Sequence, residues 1–199
     1  MKPSVALVAP YAAWMALMSL LPQTALAYAL RGAVTAALLV FSFCVLRARV
    51  RLNLRALLFG FSGGLIVFAL WTAPEMFVWP QGGANPSPFA PEVCGWPLTI
   101  VKLVASAFVI SVAEELFFRK WLLDFAGFGW MLVLFGVEHM RFDLGPAGGL
   151  VFVVEGILAG YIYGLLAKRV GLLAAILAHA VTNLLLGLDV ILLDKWFYW

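Results

Sequence analysis

Seven apolar runs follow one another along this chain, at about 4–22, 31–47, 56–73, 98–123, 127–142, 149–167 and 170–189. A helix needs about 20 apolar residues to cross the hydrocarbon core of a bilayer. The runs therefore predict an all-α, multi-pass transmembrane bundle of about seven spans. Their apolar character is continuous rather than alternating, which argues against a membrane β-barrel. Composition agrees: 65% of the residues are hydrophobic and 12% are charged. A soluble fold could not hide that much apolar surface, because a globular surface must be wetted largely by polar groups. A soluble enzyme, a disordered chain and a secreted disulfide scaffold are excluded on the same ground. Cys44 lies in an apolar run and Cys94 in a loop. They form neither a disulfide framework nor a CxxC metal knuckle.

Charge in the connections predicts orientation. Arg47, Arg49, Arg51 and Arg55 follow the second run, and Arg119 and Lys120 lie near the end of the fourth. Lys168 and Arg169 separate the sixth from the seventh, and Lys2 precedes the first. Arg31, Arg141 and Lys195 fall on the other side, with Lys102 inside the fourth run near its outer end. The positive-inside rule then places the N-terminus in the cytoplasm and the C-terminus outside. The expected setting is the cell membrane, in a bacterium the inner membrane. The stretch Pro74 to Pro97 has no Lys or Arg and fits a cap on the outer face. Trp196 to Trp199 reads as an interfacial aromatic anchor. Lys2, the first apolar run and Ala25-Leu26-Ala27 imitate a cleavable signal peptide, but Pro10 interrupts the run and another apolar run follows. The run is read as a retained first span. The chain thus divides into an N-terminal transmembrane region (1–97), a helical core (98–190) and the aromatic anchor (191–199).

The only two histidines, His139 and His179, both sit within expected spans, as do Glu114, Glu115, Arg119, Glu138 and Glu155. A charged side chain in hydrocarbon costs at least ~2.5–3.5 kcal/mol on insertion scales, so such residues face a protein-lined cavity or pair with one another. Glu115 and Arg119 are spaced i,i+4 and share a helix face. Glu114 is rotated by about 100° from Glu115 and is free to meet another partner. His179 and Asn183 repeat the i,i+4 spacing, as do Phe135 and His139. Counted from the cytoplasmic ends of their runs, Glu114, His139 and His179 each lie ten residues in, or about 15 Å deep at the ~1.5 Å rise of a helix. The three can meet near the middle of the bilayer.

A carboxylate removed from water serves as a general base, and an imidazole beside it shares the water it polarises. A second histidine and an asparagine can donate hydrogen bonds to an oxygen that gains charge. These are the parts for water attack on an amide, with no Ser or Cys nucleophile.

Glu-Glu-x-x-x-Arg at 114–119, Phe-x-x-x-His at 135–139 and His-x-x-x-Asn at 179–183, in that order, resemble the motifs of the type II CAAX prenyl endopeptidases and bacteriocin-processing enzymes. These make up the CPBP or ABI family of glutamic intramembrane proteases. The resemblance covers about residues 98–190, and residues 1–97 carry no motif of the family. It implies that Glu114 and His139 activate the attacking water and that His179 and Asn183 form the oxyanion site. Glu115 and Arg119 would be a supporting pair. It requires no metal or cofactor. The implied partners are membrane lipid and a peptide or membrane-anchored protein substrate, with no nucleic acid. Prenylated tails, leader peptides and C-terminal membrane-anchoring sorting signals are the substrate classes it offers.

Other protease patterns are missing. Glu138-His139 is followed by Met140 and Arg141 rather than completing a His-Glu-x-x-His zinc helix, and Leu186-Gly187-Leu188-Asp189 is not an aspartyl Gly-x-Gly-Asp motif. Ser62-Gly63-Gly64 has no convincing histidine partner for a serine mechanism. Gly156, Gly160 and Gly164 form a small-residue row expected to pack helices closely, and with Phe152 they resemble a weaker third motif of the family. Glu155 either lines the cavity or pairs with Arg141 or Lys102, and Glu138 is open in the same way. Two rivals use the same residues differently: a transporter or proton-coupled binding protein, and an idle scaffold or immunity protein of the same fold.

Overall fold

A computed structural model describes residues 3–46, 52–76, 87–141 and 145–199. The basic positions Lys2, Arg47, Arg49 and Arg51, and residues 77–86 of the expected outer cap, lie outside the described residues. The chain is an all-α membrane bundle, with seven helices and no strand among the described residues. Helix α1 is Pro3–Leu20, α2 is Ala25–Leu46 and α3 is Leu54–Thr72. A helical run, Trp96–Glu138, then extends over 43 residues. Gly127 breaks it with φ 82° and ψ 173°, a backbone region that only glycine enters without strain. The part before the break is α4 and the part after it α5. Helices α6, Gly145–Arg169, and α7, Leu172–Leu193, complete the bundle.

The break turns α5 back along α4. Phe118 and Phe135 are 17 positions apart in sequence, yet their rings lie 5.0 Å apart. An uninterrupted helix would separate them by about 25 Å. Five of the helical runs are long and apolar enough to cross a membrane, the run Trp96–Glu138 among them. With about 11 residues, or about 16 Å, α5 falls short of a span by itself. It ends at Glu138, four residues before the boundary expected from sequence. In the other direction, α2 begins six residues earlier than expected, which sets Arg31 in its second turn rather than at its start.

Glycines set the helix spacing around the core. A Cβ on Gly156 would lie 3.0 Å from the Gly136 Cα, and one on Gly160 would meet the Phe135 ring at 2.9 Å. The row expected to pack helices therefore seats α6 against α5. A second row on α3 has the same role: Gly60 and Gly64 lie against Ala174, Leu177 and Val181 of α7. Gly63 and Gly64 of Ser62-Gly63-Gly64 pack in this face, whereas Ser62 is exposed. Between these contacts sits a core that includes Phe118, Met131, Phe135, Ala159, Tyr163 and Ala178.

The two ends of the bundle differ. Arg55 donates to the Arg169 carbonyl at 3.4 Å, and Lys168 lies 5.0 Å from the Phe128 ring. The starts of α3 and α5 therefore share one end with the finish of α6. At the other end, the Tyr198 hydroxyl donates to the Trp71 carbonyl at 3.5 Å. Arg31 is buried there over the rings of Trp14 and Tyr28.

Candidate active site

A cavity of about 330 Å³ enters the bundle between α3, α4, α5, α6 and α7. Its deeper wall includes Phe135, Tyr163, His179, Thr182 and Asn183, and Glu138 and His139 face it from the end of α5. Trp71, Lys102, Arg141, Tyr198 and Trp199 line the remainder. The tail expected at the membrane interface thus folds inward, and its last two residues become cavity wall.

Glu115 is the hub beneath the cavity. One oxygen, Oε1, lies 3.0 Å from Arg119 Nη1 and 2.9 Å from His179 Nδ1. The Glu115 and Arg119 side chains are both 0% exposed, so Arg119, counted from sequence among the loop charges, is no loop residue. Its guanidinium stacks 3.9 Å from the Phe135 ring centre, which suits a weakly hydrated, planar cation. Removing one member of such a buried group leaves an uncompensated charge and costs about 3–5 kcal/mol. Because Nδ1 faces a carboxylate, it carries the hydrogen, and Nε2 turns toward Glu114 Oε2 at 3.7 Å. Tyr163 stacks on the same imidazole at 4.9 Å and 18°, while its hydroxyl donates to Thr182 at 2.8 Å. The ring is held on its face and on its edge.

Glu114, Glu138 and His139 each offer an atom within 4.8 Å of the other two. Glu114 is not part of the cavity lining; it meets the cavity through Glu138 and His139, which are. His139 ends α5 with φ −87° and ψ 2°, and its Nδ1 lies 2.7 Å from the Phe135 carbonyl. A carbonyl only accepts, so Nδ1 donates and Nε2 keeps a free lone pair in the neutral ring. That lone pair can hold a water, and the same three side chains could equally hold a divalent metal.

Glu138 is the last residue of α5, and it and His139 both line the cavity. Tyr11 of α1 donates its hydroxyl to Glu138 Oε2, and the Tyr11 ring stacks on Phe117 at 4.5 Å. Nothing in the spacing of α1 points to Tyr11. The signal for Glu138 was present, as an acidic residue in an apolar run next to a histidine. Glu155 is buried on α6 and lines no part of the cavity.

Asn183 is placed next to His179 but is already engaged. Its Nδ2 donates to the Ser106 carbonyl at 3.1 Å and to Ser111 Oγ at 3.1 Å. The Ser106 carbonyl belongs to a π-helical stretch of α4, Ala105–Ile110, and a second one covers Leu116–Leu122. Such widened turns are uncommon and recur at functional sites. Here they flank the short α-helical segment Ser111–Glu115 that carries both glutamates.

A family model described as type II CAAX prenyl endopeptidase Rce1-like matches residues 96–185. This match supports a place in the CPBP/CAAX protease-like family. It begins at the first residue of α4 and ends within α7, and so contains all the residues of the three motifs. No curated protein and no solved structure matches the chain.

Proposed function

We propose, from the Rce1-like match over α4–α7 and the geometry of its cavity, that this chain is an intramembrane endopeptidase using water activated by glutamate and histidine. The observation that carries the reading is that Glu114 lies beside both His139 and His179, from two other helices, and that these two histidines line one cavity within the bundle.

In this reading the His139 Nε2 lone pair and the Glu114 carboxylate hold the attacking water. Glu114 takes a proton from it as the oxygen bonds to the scissile carbonyl carbon. The carbonyl oxygen gains negative charge and is met by His179 Nε2 when that nitrogen carries a hydrogen as well as Nδ1. The proton on Glu114 then passes to the leaving nitrogen as the C–N bond breaks, which returns the carboxylate. Glu115 orients His179, and Arg119 balances the buried charge of Glu115. Asn183 can join the oxyanion site only by exchanging one of its present acceptors, and Ser111 Oγ is the one that can turn away. Substrates are peptides or membrane-anchored proteins entering the cavity beside lipid.

The test compares membrane-protein termini in cells carrying the wild type or Glu114→Gln. The amide keeps the shape of the side chain and cannot act as base. Termini that depend on the wild type and vanish in the variant, with its folded helix content unchanged, are expected. Identical termini in both strains would remove the mechanism.

A further inference from the structure

The cavity is closed toward one end of the bundle. Toward the end of the bundle that carries Arg55 and Arg169, its floor is closed by Phe118, Met131, Phe135 and Tyr163, each no more than 2% exposed. The fully buried pair Glu115–Arg119 lies in the same layer. Toward the other end the cavity continues to Trp71 at the finish of α3, Lys102 near the start of α4, Arg141 after α5, and Trp199 at the chain end. Access is therefore tied to whichever face of the membrane that second end occupies.

The basic residues identify the faces. Arg55, Lys120, Lys168 and Arg169 are exposed at the closed end. In the sequence, Arg47, Arg49 and Arg51 stand between the last residue of α2 and the first of α3. Among the described residues the open end also has four cations, Arg31, Lys102, Arg141 and Lys195, but they are turned inward, paired or set in the cavity wall. Arg31 stacks on Trp14 and Tyr28, and Lys102 lies 4.0 Å from the Tyr28 ring centre. Lys195 is 2.9 Å from Asp189. Lys and Arg clustered in short loops mark the cytoplasmic side.

We infer that the cavity opens on the extracytoplasmic face and receives a polypeptide segment presented from that side, close to where a substrate enters the membrane. Substrates delivered from the cytoplasm, cytoplasmic C-terminal tails included, meet the sealed floor. The substrate half of this inference rests on the peptidase reading; the direction of opening does not.

Two measurements separate the halves. In a Cys44→Ser, Cys94→Ser background, Met140→Cys marks the open end and Arg169→Cys the basic end. A membrane-impermeant charged maleimide should label Met140→Cys in right-side-out vesicles and Arg169→Cys only in inverted ones. Both variants should label after detergent solubilisation. The reverse pattern would overturn the inference. Wild-type-dependent termini, compared with Glu114→Gln, should then map to extracytoplasmic segments beside membrane spans. Cuts in cytoplasmic segments would overturn the substrate half. A complete lack of such termini would sink the peptidase reading and the substrate half with it, while the labelling pattern would still report where the cavity opens.

Discussion

His179 Nδ1 lies 2.9 Å from Glu115 Oε1, the oxygen that also holds Arg119 at 3.0 Å. The second glutamate of the Glu114-Glu115 pair is thus a shared anchor. It fixes the imidazole from α7 and the guanidinium from its own helix, and leaves the first glutamate to face His139 and Glu138. In the proposed mechanism, adjacent residues on one helix divide positioning and chemistry between them.

Replacing the anchor tests that division. Glu115→Ala leaves Arg119 buried without its partner and should lower stability by about 3–5 kcal/mol, measured by thermal unfolding in detergent. Glu115→Gln retains an oxygen that can accept from His179. It should fold, with peptide cleavage reduced mainly in kcat while KM stays near the wild-type value. Stability and kcat both unchanged in Glu115→Gln would dismiss the anchor role.

Asn183 fastens α7 to the widened turn of α4. Asn183→Ala leaves the Ser106 carbonyl without that donor, which should cost about 1–3 kcal/mol. Asn183→Asp sets a second acceptor against the same carbonyl and should be at least as damaging. Unfolding midpoints of the two variants decide this. If either matches the wild type in stability yet loses cleavage, Asn183 acts on the substrate rather than on the helix contact.

The α5–α6 contact sets where His139 stands. A Cβ on Gly156 would come 3.0 Å from the Gly136 Cα and 3.3 Å from the His139 Cβ. Gly156→Val should therefore destabilise by roughly 1–3 kcal/mol through overpacking and displace His139, with activity falling further than stability. Gly129 meets nothing within 4 Å, so Gly129→Ala should stabilise α5 by about 0.5–1 kcal/mol. Parallel melting curves and cleavage rates would show whether the two glycines differ in this way.

Tyr11 contributes a hydroxyl from outside the matched segment. Tyr11→Phe keeps the ring stacked on Phe117 and removes the donor to Glu138. A hydrogen bond to a carboxylate contributes about 1.5–3 kcal/mol, so a lower melting temperature and a several-fold slower cleavage rate are expected. Wild-type values for both would mean that Glu138 needs no partner from α1.

The positions of the helices were legible because apolar runs of bilayer length leave a chain few choices in lipid. The three motifs were legible because histidine and glutamate are rare and costly there, so their spacing stands out. The break at Gly127 was legible as well, since the fourth apolar run ends at 123 and the fifth begins at 127. The end of α5 at Glu138, four residues short of the expected boundary, was not, and it sets His139 at a helix end next to Glu138. The inward turn of Tyr198 and Trp199 was hidden because aromatic residues at a chain end carry the same sequence signal whether they face lipid or protein.

Residue order alone determined that this chain is a helical membrane protein and that Glu114, Glu115, Arg119, His139, His179 and Asn183 are its candidate chemical groups. Both conclusions follow from the cost of placing polar groups in hydrocarbon, which depends on local composition. Tertiary structure decided which groups share a cavity, that Glu115 holds His179, that Tyr11 and Glu138 join them, and which end of the bundle is open. Those are distances between segments far apart in sequence. They are set by how glycine rows and a broken helix let neighbouring backbones approach, and no local pattern encodes them.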